Sequence, residues 1–396
     1  MTTAPASPPA LVVAGVSVRA LAASARRGGW RVIGLDLFGD RDTRRDCEAW
    51  RCIGDAATLA IDPDRLRAGL AFAARLPGVV GWVAGGGFDG ASAWLDAAGG
   101  PLPRLGCDAA AIDLVRDPRT FFATLDHLGL RHPPVRRHQP ITDPHLWLAK
   151  RSGGAGGLDV VPAEEVASGR VPLRPDTYFQ RREAGTPMSA LFVADGRSAR
   201  LLGINRQLVR GTGARPWTWA GAIGSLPDAP PADRLADMLD ALVPAFGLRG
   251  LCSLDLLDDA GRLSLLEVNP RPSASMAVHD ERWPGGLVRA HLDGVAGRLP
   301  SARASHRGSA PSLRGQQVVF AREGAVVDEA LSDAWLADPA IHDVPRAGLR
   351  LSPGDPVCSV SAQGDDERVV AARLAARAEA VAAALSLPCP VPHDAR

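Results

Sequence analysis

Four polar side chains, Asp255, Glu267, Asn269 and Arg271, stand where hydrophobic strand patterns break off. In the stretch LEVNPR, Leu266 to Arg271, Glu267 and Asn269 are two apart, so on a strand both project from one face. A carboxylate and an amide oxygen side by side, with a guanidinium just beyond, suit a hard cation and an anionic ligand. Upstream, residues 251–257 and 263–268 flank the turn DDAG, and a plain antiparallel register puts Asp255 on that same face. Asp255 and Glu267 are then cross-strand neighbours within about 5–8 Å. Two like charges there destabilise a sheet unless a cation lies between them, and three such oxygens completed by phosphate and water are what Mg²⁺ takes in nucleotide sites. Leu263 and Leu265 are expected to share the face, which would shelter the acid pair and demand a partner for it. The alternative is a polar strand end running into a proline-rich turn.

A second cluster lies upstream, in LAKRSGGAGG. Its successive glycines leave backbone N–H groups free to approach phosphate oxygens. Lys150, on the strand before them, supplies a point charge. Because the lysine precedes the glycines, the pattern is not a GxxxxGK[ST] P-loop. Of the 45 basic residues, Lys150 is the single lysine and the rest are arginine. A chain that uses arginine for every generic positive charge and keeps one lysine is expected to need a slim ammonium there. Taken alone the loop could be a flexible turn; lysine, glycine loop and acidic hairpin in this order read as a metal–nucleotide site.

The rest of the chain must position these groups. With 396 residues and 46% hydrophobic content it can bury a large core in two or three domains. A net charge of +1 gives no electrostatic case for nucleic acid or a membrane surface. The N-terminus lacks the pattern of a signal peptide, and no apolar run is long enough to span a bilayer. Six scattered cysteines without a CxxC pair point to reduced thiols in a cytoplasm. ALVVAG, RVIGLDLF and VVGWVAGGG, separated by helical patterns, predict a parallel βαβ sheet. Asp36 ends the second strand where a ribose-binding acid of a dinucleotide site could sit, but GxGxxG is missing and a turn-forming role is the alternative. In DPRTFFATLDHLGL, Asp117 is expected to cap a helix with Pro118 at its first position. Strands are expected at TYFQRREAG, SALFVADG and ARLLGINRQLV, a helix at ADRLADMLDALVPAFGL, a linker over Ser301 to Gly315, and a helix at ERVVAARLAARAEAVAAAL.

In its motifs RDPRTF, LAKRSGGAGG, YFQRREAG and SLDLLDDAGRLSLLEVNPRPSAS, and in their order, the chain resembles the ATP-grasp superfamily of carboxylate–amine ligases. The tail HDVPRAGLRLSPGDPVCSVSAQG is similar to the small C-terminal domain of relatives of the biotin carboxylase and purine-pathway carboxylase kind. The implied fold is α/β and α+β: an N-terminal parallel α/β domain (1–106), a two-lobed ATP-grasp domain (107–300), the linker (301–315), and a small β-rich C-terminal domain with a terminal helix (316–396).

The implied cofactors are ATP and Mg²⁺, with Mn²⁺ able to replace it. Lys150 would hold phosphates beneath a loop of Ser152, Gly153, Gly154, Ala155, Gly156 and Gly157. Arg119 would stand where relatives commonly have a first ATP-binding lysine. Asp255, Glu267 and Asn269 would bind the metal, and Arg271 would stabilise the transferring phosphoryl group. Gln180, Arg181, Arg182 and Glu183 match the hinge against which adenine lies, but Arg181 stands where relatives usually carry an acid, which Glu183 would have to replace. Arg206, in INRQLV, is a weaker phosphate or substrate candidate.

The implied partners are a small-molecule carboxylate and an amine, with no nucleic acid and no membrane; a homodimer is compatible. GVSVRALAASARRGGWRVIGLDLFGDRDT resembles ligases of one-carbon cofactor synthesis, the tyramine–glutamate ligase group, which points to a glutamate-adding step in a methylofuran, methanofuran or pterin-type pathway. The rival readings are a biotin-carboxylase-like enzyme working with a separate carrier, an NAD-binding protein, and a nucleotide-binding module without turnover.

Overall fold

A computed structural model describes residues 8–386, apart from 91, 93–94, 96–97, 138–141, 212–214, 225, 227–229 and 301–312. The chain opens with four parallel strands, β1 (Ala10–Ala14), β2 (Arg31–Asp36), β3 (Ala49–Cys52) and β4 (Val79–Ala84), in the order β3-β2-β1-β4. β1 is buried at every position and β2 at all but its first. That explains their unbroken apolar runs: both faces are covered, by helices such as α1 (Arg19–Arg27) and α2 (Pro63–Ala73).

Two helices follow, α3 (Ala109–Arg116) and α4 (Pro118–His127). Asp117 separates them and caps the second as its sequence predicts, accepting from the backbone N–H of Thr120 at 3.1 Å. A second sheet holds β5 (Val135–Arg136), β6 (Trp147–Arg151), β7 (Val161–Pro162) and β8 (Thr177–Arg181), antiparallel in the order β5-β8-β6-β7. The strand expected to resume after the glycine loop shrinks to the two residues of β7.

The largest sheet has eight strands. Its first part is β9 (Thr186–Asp195), β10 (Ala199–Val209), β11 (Trp219–Gly224) and the hairpin β12 (Arg249–Asp259) and β13 (Arg262–Asn269). Helix α5 (Ala232–Phe246) buries Leu235, Met238, Leu239, Leu242, Val243 and Phe246, the positions its 3.6-residue period selects, and stops at Gly247 with φ +64°. Helix α6 (Gly286–Val295) packs beside β12, and His291 ties the two: its Nδ1 accepts from Leu251 N at 2.8 Å and its Nε2 donates to Leu105 O at 2.9 Å.

The C-terminal segment extends this same sheet. β14 (Leu313–Phe320) pairs with β11, and β15 (Ile341–His342) and β16 (Pro356–Gly364) continue outward, giving the order β13-β12-β9-β10-β11-β14-β16-β15. Of the stretch read as a linker, 301–312 lie outside the described residues and 313–315 already belong to β14. The closing helix α7 (Glu367–Leu385) has the expected bounds and is capped by Asp366, which accepts from Val369 N at 2.8 Å. No helix among the described residues is long and apolar enough to cross a membrane.

Candidate functional site

The hairpin turn is made by Ala260 (φ +50°) and Gly261 (φ +85°), both left-handed as a tight two-residue turn requires. From it β12 and β13 run back with Asp255 directly opposite Glu267 and Ser253 opposite Asn269. The register slips between these pairs and the turn: Leu256 lies opposite Leu265, so Leu266 is an extra, bulged residue. This overturns the expectation that Leu263 and Leu265 share the acid face. The bulge turns them to the other side, where both are buried in one core cluster with Leu254 and Leu256. Without the bulge, the strand could not present the leucines to the core and Glu267 to the opposite face together.

The acid pair is therefore less sheltered than the plain register implies, with the Glu267 side chain 39% exposed. Asp255 accepts from Gln207 Nε2 at 2.8 Å and from Asn269 Nδ2 at 3.3 Å. Burial, and then Glu267, push the Asp255 carboxyl well above the usual carboxylate range despite Arg271 and Arg116 nearby. The row continues across the sheet through Ser189, paired with Asp255, to Asn205, whose Nδ2 donates to Ser189 Oγ at 3.2 Å. His279 supports it from behind: burial pushes it down to about 3, so it stays neutral and donates from Nε2 to Asn205 Oδ1 at 2.6 Å.

Lys150 lies across from Tyr178 on the neighbouring sheet, and its ammonium donates to Gln180 Oε1 at 2.6 Å. Burial lowers its pKa, while the charges of Glu267 and Asp255, close enough to be felt, oppose that shift. The lysine and the acid pair singled out from the sequence thus lie within electrostatic range of each other. Gln180 is 1% exposed and its Nε2 has no partner among the described residues, which leaves a buried donor for a ligand acceptor.

The loop from Ser152 to Gly157 lies beside them. Gly153 approaches Gly90, in the glycine-rich turn after β4, so closely that a Cβ on it would stand 3.1 Å from Gly90 Cα. Gly157 is the demanding position, with φ +71° and the space for a Cβ only 1.9 Å from Trp217 O. Gly157→Ala should therefore destabilise the protein by more than about 1 kcal/mol and shift the loop. Melting curves with and without nucleotide check this, and an unchanged pair of curves would show that the loop tolerates the side chain.

Arg271 is not an isolated charge. It grips Asp89 with two parallel bonds, Nε to Oδ1 at 2.8 Å and Nη2 to Oδ2 at 2.9 Å. Arg116 also binds Asp89 Oδ1 and reaches Asn269 Oδ1 at 3.0 Å. Sequence reading missed Asp89 and Arg116. Asp89 sits in the glycine-rich turn after β4, where an aspartate looks like a turn former. Arg116 opens the motif RDPRTF, in which the arginine singled out was Arg119. Arg119 is exposed on the first turn of α4, and its side chain makes no hydrogen bond or ion pair with the other described residues.

At the hinge, Arg181 N donates to Pro134 O and Arg182 N to Leu146 O, both at 2.8 Å. Glu183 is held at one oxygen by Arg131 (2.8 Å) and Ser264 (3.0 Å). These residues, with Arg181, Arg182 and Arg262, line a cavity of about 240 Å³. The strand candidate Arg206 forms an ion pair with Glu367, at the start of α7. Asp36 does not fit a ribose-binding role. It is fully buried, with Oδ1 accepting from Gly39 N (2.9 Å) and Trp50 Nε1 (2.7 Å) and Oδ2 from Val18 N (3.3 Å), so it fastens the turn after β2.

No group of three or more His, Cys, Asp and Glu side chains able to hold a metal occurs among the described residues. The hairpin set of two carboxylates and one amide needs ligand oxygens to complete a coordination shell. The five described cysteines are free, with the sulfurs of Cys107 and Cys252 4.0 Å apart; Cys389 lies outside the described residues.

Residues 115–275 match the ATP-grasp domain family, a span that takes in Arg116, Lys150, the hinge, Asp255 and Arg271 but not Asp89. No curated protein matches the sequence. Among solved structures, the chain is similar to the biotin carboxylase–βγ-ATP complex of Campylobacter jejuni, with TM-score 0.67 and 14% identity over 92% of this chain and 89% of that one. It is similar to the N5-carboxyaminoimidazole synthetase of Staphylococcus aureus complexed with ADP, with TM-score 0.67 and 13% identity over 94% and 97% of the two chains. It is also similar to the L-amino acid ligase of Bacillus licheniformis, with TM-score 0.68 and 13% identity over 94% and 97%. At these identities the likeness is one of fold. Residues 115–275 thus match the ATP-grasp domain, and the chain as a whole shares the fold of these three solved structures.

Proposed function

We propose that the protein is an ATP-dependent ligase that joins a carboxylate to an amine through an acyl phosphate, releasing ADP and phosphate. The observation that carries this reading is that Lys150 lies within electrostatic range of the cross-strand Asp255–Glu267 pair, with Arg271 also felt there, all within the span that matches the ATP-grasp domain. A carboxylate oxygen of the first substrate attacks the γ-phosphorus while the bond to the β-phosphate oxygen breaks. The amine then attacks the acyl carbon, and phosphate leaves. Neither step calls for a protein nucleophile. Lys150 places a compact charge beside the phosphates, and Arg271, fixed by Asp89, meets the charge that develops on the phosphoryl group in transit. The loop over Ser152 to Gly157 keeps water from the acyl phosphate.

The hairpin fits a divalent cation: a carboxylate pair with one member pushed well up in pKa is short of positive charge. Asp255, Glu267 and Asn269 would hold Mg²⁺, which when bound neutralises phosphate oxygens. At the hinge, Gln180 to Glu183 would meet the adenine end of ATP, with Glu183 in place of the usual acid. The resemblance of the N-terminal stretch to ligases of one-carbon cofactor synthesis favours addition of glutamate in a methylofuran, methanofuran or pterin-type pathway, in a cytoplasm. A carboxylase reading draws on the fold shared with biotin carboxylase. With its only lysine bonded to Gln180, this chain has no side chain to carry biotin and would need a separate carrier.

ADP release measured with panels of amino acids and amines, with phosphate release alongside, tests the reading; ADP release stimulated by bicarbonate alone would favour the carboxylase. Thermal shift should respond to Mg·ATP and not to NAD. Lys150→Arg should lower turnover at least about tenfold, equivalent to about 1.4 kcal/mol in the barrier, because a planar guanidinium does not fit the ammonium's place beside Gln180. Full activity in that variant would make the single lysine an accident of composition.

A further inference from the structure

Arg116 ends α3 with a side chain only 10% exposed, bonded to one oxygen that the proposed metal would need and facing another. Nη2 donates to Asn269 Oδ1 at 3.0 Å, and Nη1 stands 3.9 Å from Glu267 Oε2. The same guanidinium binds Asp89. Its Nε–H is buried with no acceptor among the described residues, so the side chain is held by one end and its bonding is incomplete.

A divalent cation and a guanidinium crowded on the same oxygens disfavour each other, because their positive charges repel at close range even where an oxygen keeps a second lone pair. We infer that Arg116 is a resident counter-ion of the metal site, occupying Asn269 and facing Glu267 until a metal–nucleotide complex displaces it. The inference rests on the proposed metal role of Glu267 and Asn269. It gives the site a binding order. Free metal meets an occupied site and binds weakly. A metal that arrives with nucleotide also brings phosphate oxygens, which offer the displaced guanidinium and its idle Nε–H new acceptors. The arginine then changes from a competitor of the metal to a support for the nucleotide.

Mn²⁺ binding to the full chain, followed by the loss of the free-ion paramagnetic signal, tests this without catalysis. Without nucleotide, Arg116→Gln and Arg116→Met should each bind Mn²⁺ at least about ten times more tightly than the parent, from removal of one nearby positive charge. Glu267→Gln should bind it more weakly. With ADP present, the advantage of the Arg116 variants should shrink or reverse. If Glu267→Gln weakens binding but neither Arg116 variant tightens it, the counter-ion role is wrong and the metal site stands. If Glu267→Gln leaves Mn²⁺ binding unchanged, the metal site and the inference fall together. A structure of the parent with Mn·ADP needs no variant: Arg116 should be out of hydrogen-bonding range of Asn269 Oδ1, and Mn²⁺ on Asn269 with Arg116 still bonded to that oxygen would overturn the inference.

Discussion

Glu267→Gln should reduce ADP release by roughly a hundredfold, about 2.7 kcal/mol in the barrier, while the ligand-free protein melts no lower than its parent. The two halves of this expectation have separate causes. Without ligand, Glu267 is one of two carboxylates paired directly across the hairpin, and its charge helps to push the Asp255 carboxyl up. An amide of the same shape removes that repulsion, and its one ion-pair loss among the described residues is a distant one, 3.9 Å from Arg116. With Mg·ATP the order reverses. The variant holds the metal with fewer charged oxygens, so the ligand raises its melting temperature less than it raises the parent's. Melting curves with and without Mg·ATP, alongside an ADP-release assay, read both halves. A variant that unfolds, yet whose folded fraction keeps parental turnover, would make the LEVNPR strand a structural element and place the chemistry elsewhere.

The sequence made this part of the site legible because its signals are local. Glu267 and Asn269 share a face by strand alternation, Asp255 meets them across a four-residue turn, and Asp117 with Pro118 announces a helix start. The bulge at Leu266 was not legible, since Leu263, Leu265 and Glu267 fit simple alternation equally well. Only competition between the core, which takes both leucines, and the opposite face, which takes the glutamate, forces the extra residue. Arg116 and Asp89 escaped for a different reason. Their partners lie 153 and 182 residues away, and an ion pair closed over that distance leaves no periodicity to read. The joining of β14 to β11 is likewise a pairing between segments some ninety residues apart, invisible to local pattern. Asp36 is the opposite case: its position allows a ribose contact or an ordinary turn former, and the local signal for the turn is the one that holds.

The bond that the sequence hid should also be the costliest to break. Asp89 is 2% exposed at its side chain and is the anion between two arginines, with Arg271 on both oxygens and Arg116 on one. Asp89→Asn keeps the shape but removes the charge and one acceptor, leaving two sheltered guanidiniums without their counter-ion. Breaking a buried pair in this way costs about 3–5 kcal/mol. The effect should depend on pH with a definite sign. Burial pushes the Asp89 carboxyl up, but Arg271 and Arg116 outweigh it and hold it down at about 2. A carboxylate depressed on folding contributes its stability fully above the unfolded value, about 3.9, and loses it as pH falls through the folded one. The gap between parent and variant should therefore stay constant from pH 7 to about 4 and narrow below that. Denaturant unfolding of both proteins at pH 7, 4 and 3 measures it. Turnover should fall as well, because an Arg271 released from its two-point grip no longer waits where the phosphoryl group passes. A gap under about 1 kcal/mol at pH 7 would place the pair with weak surface bridges, and Arg271 would then have to be positioned by something other than Asp89.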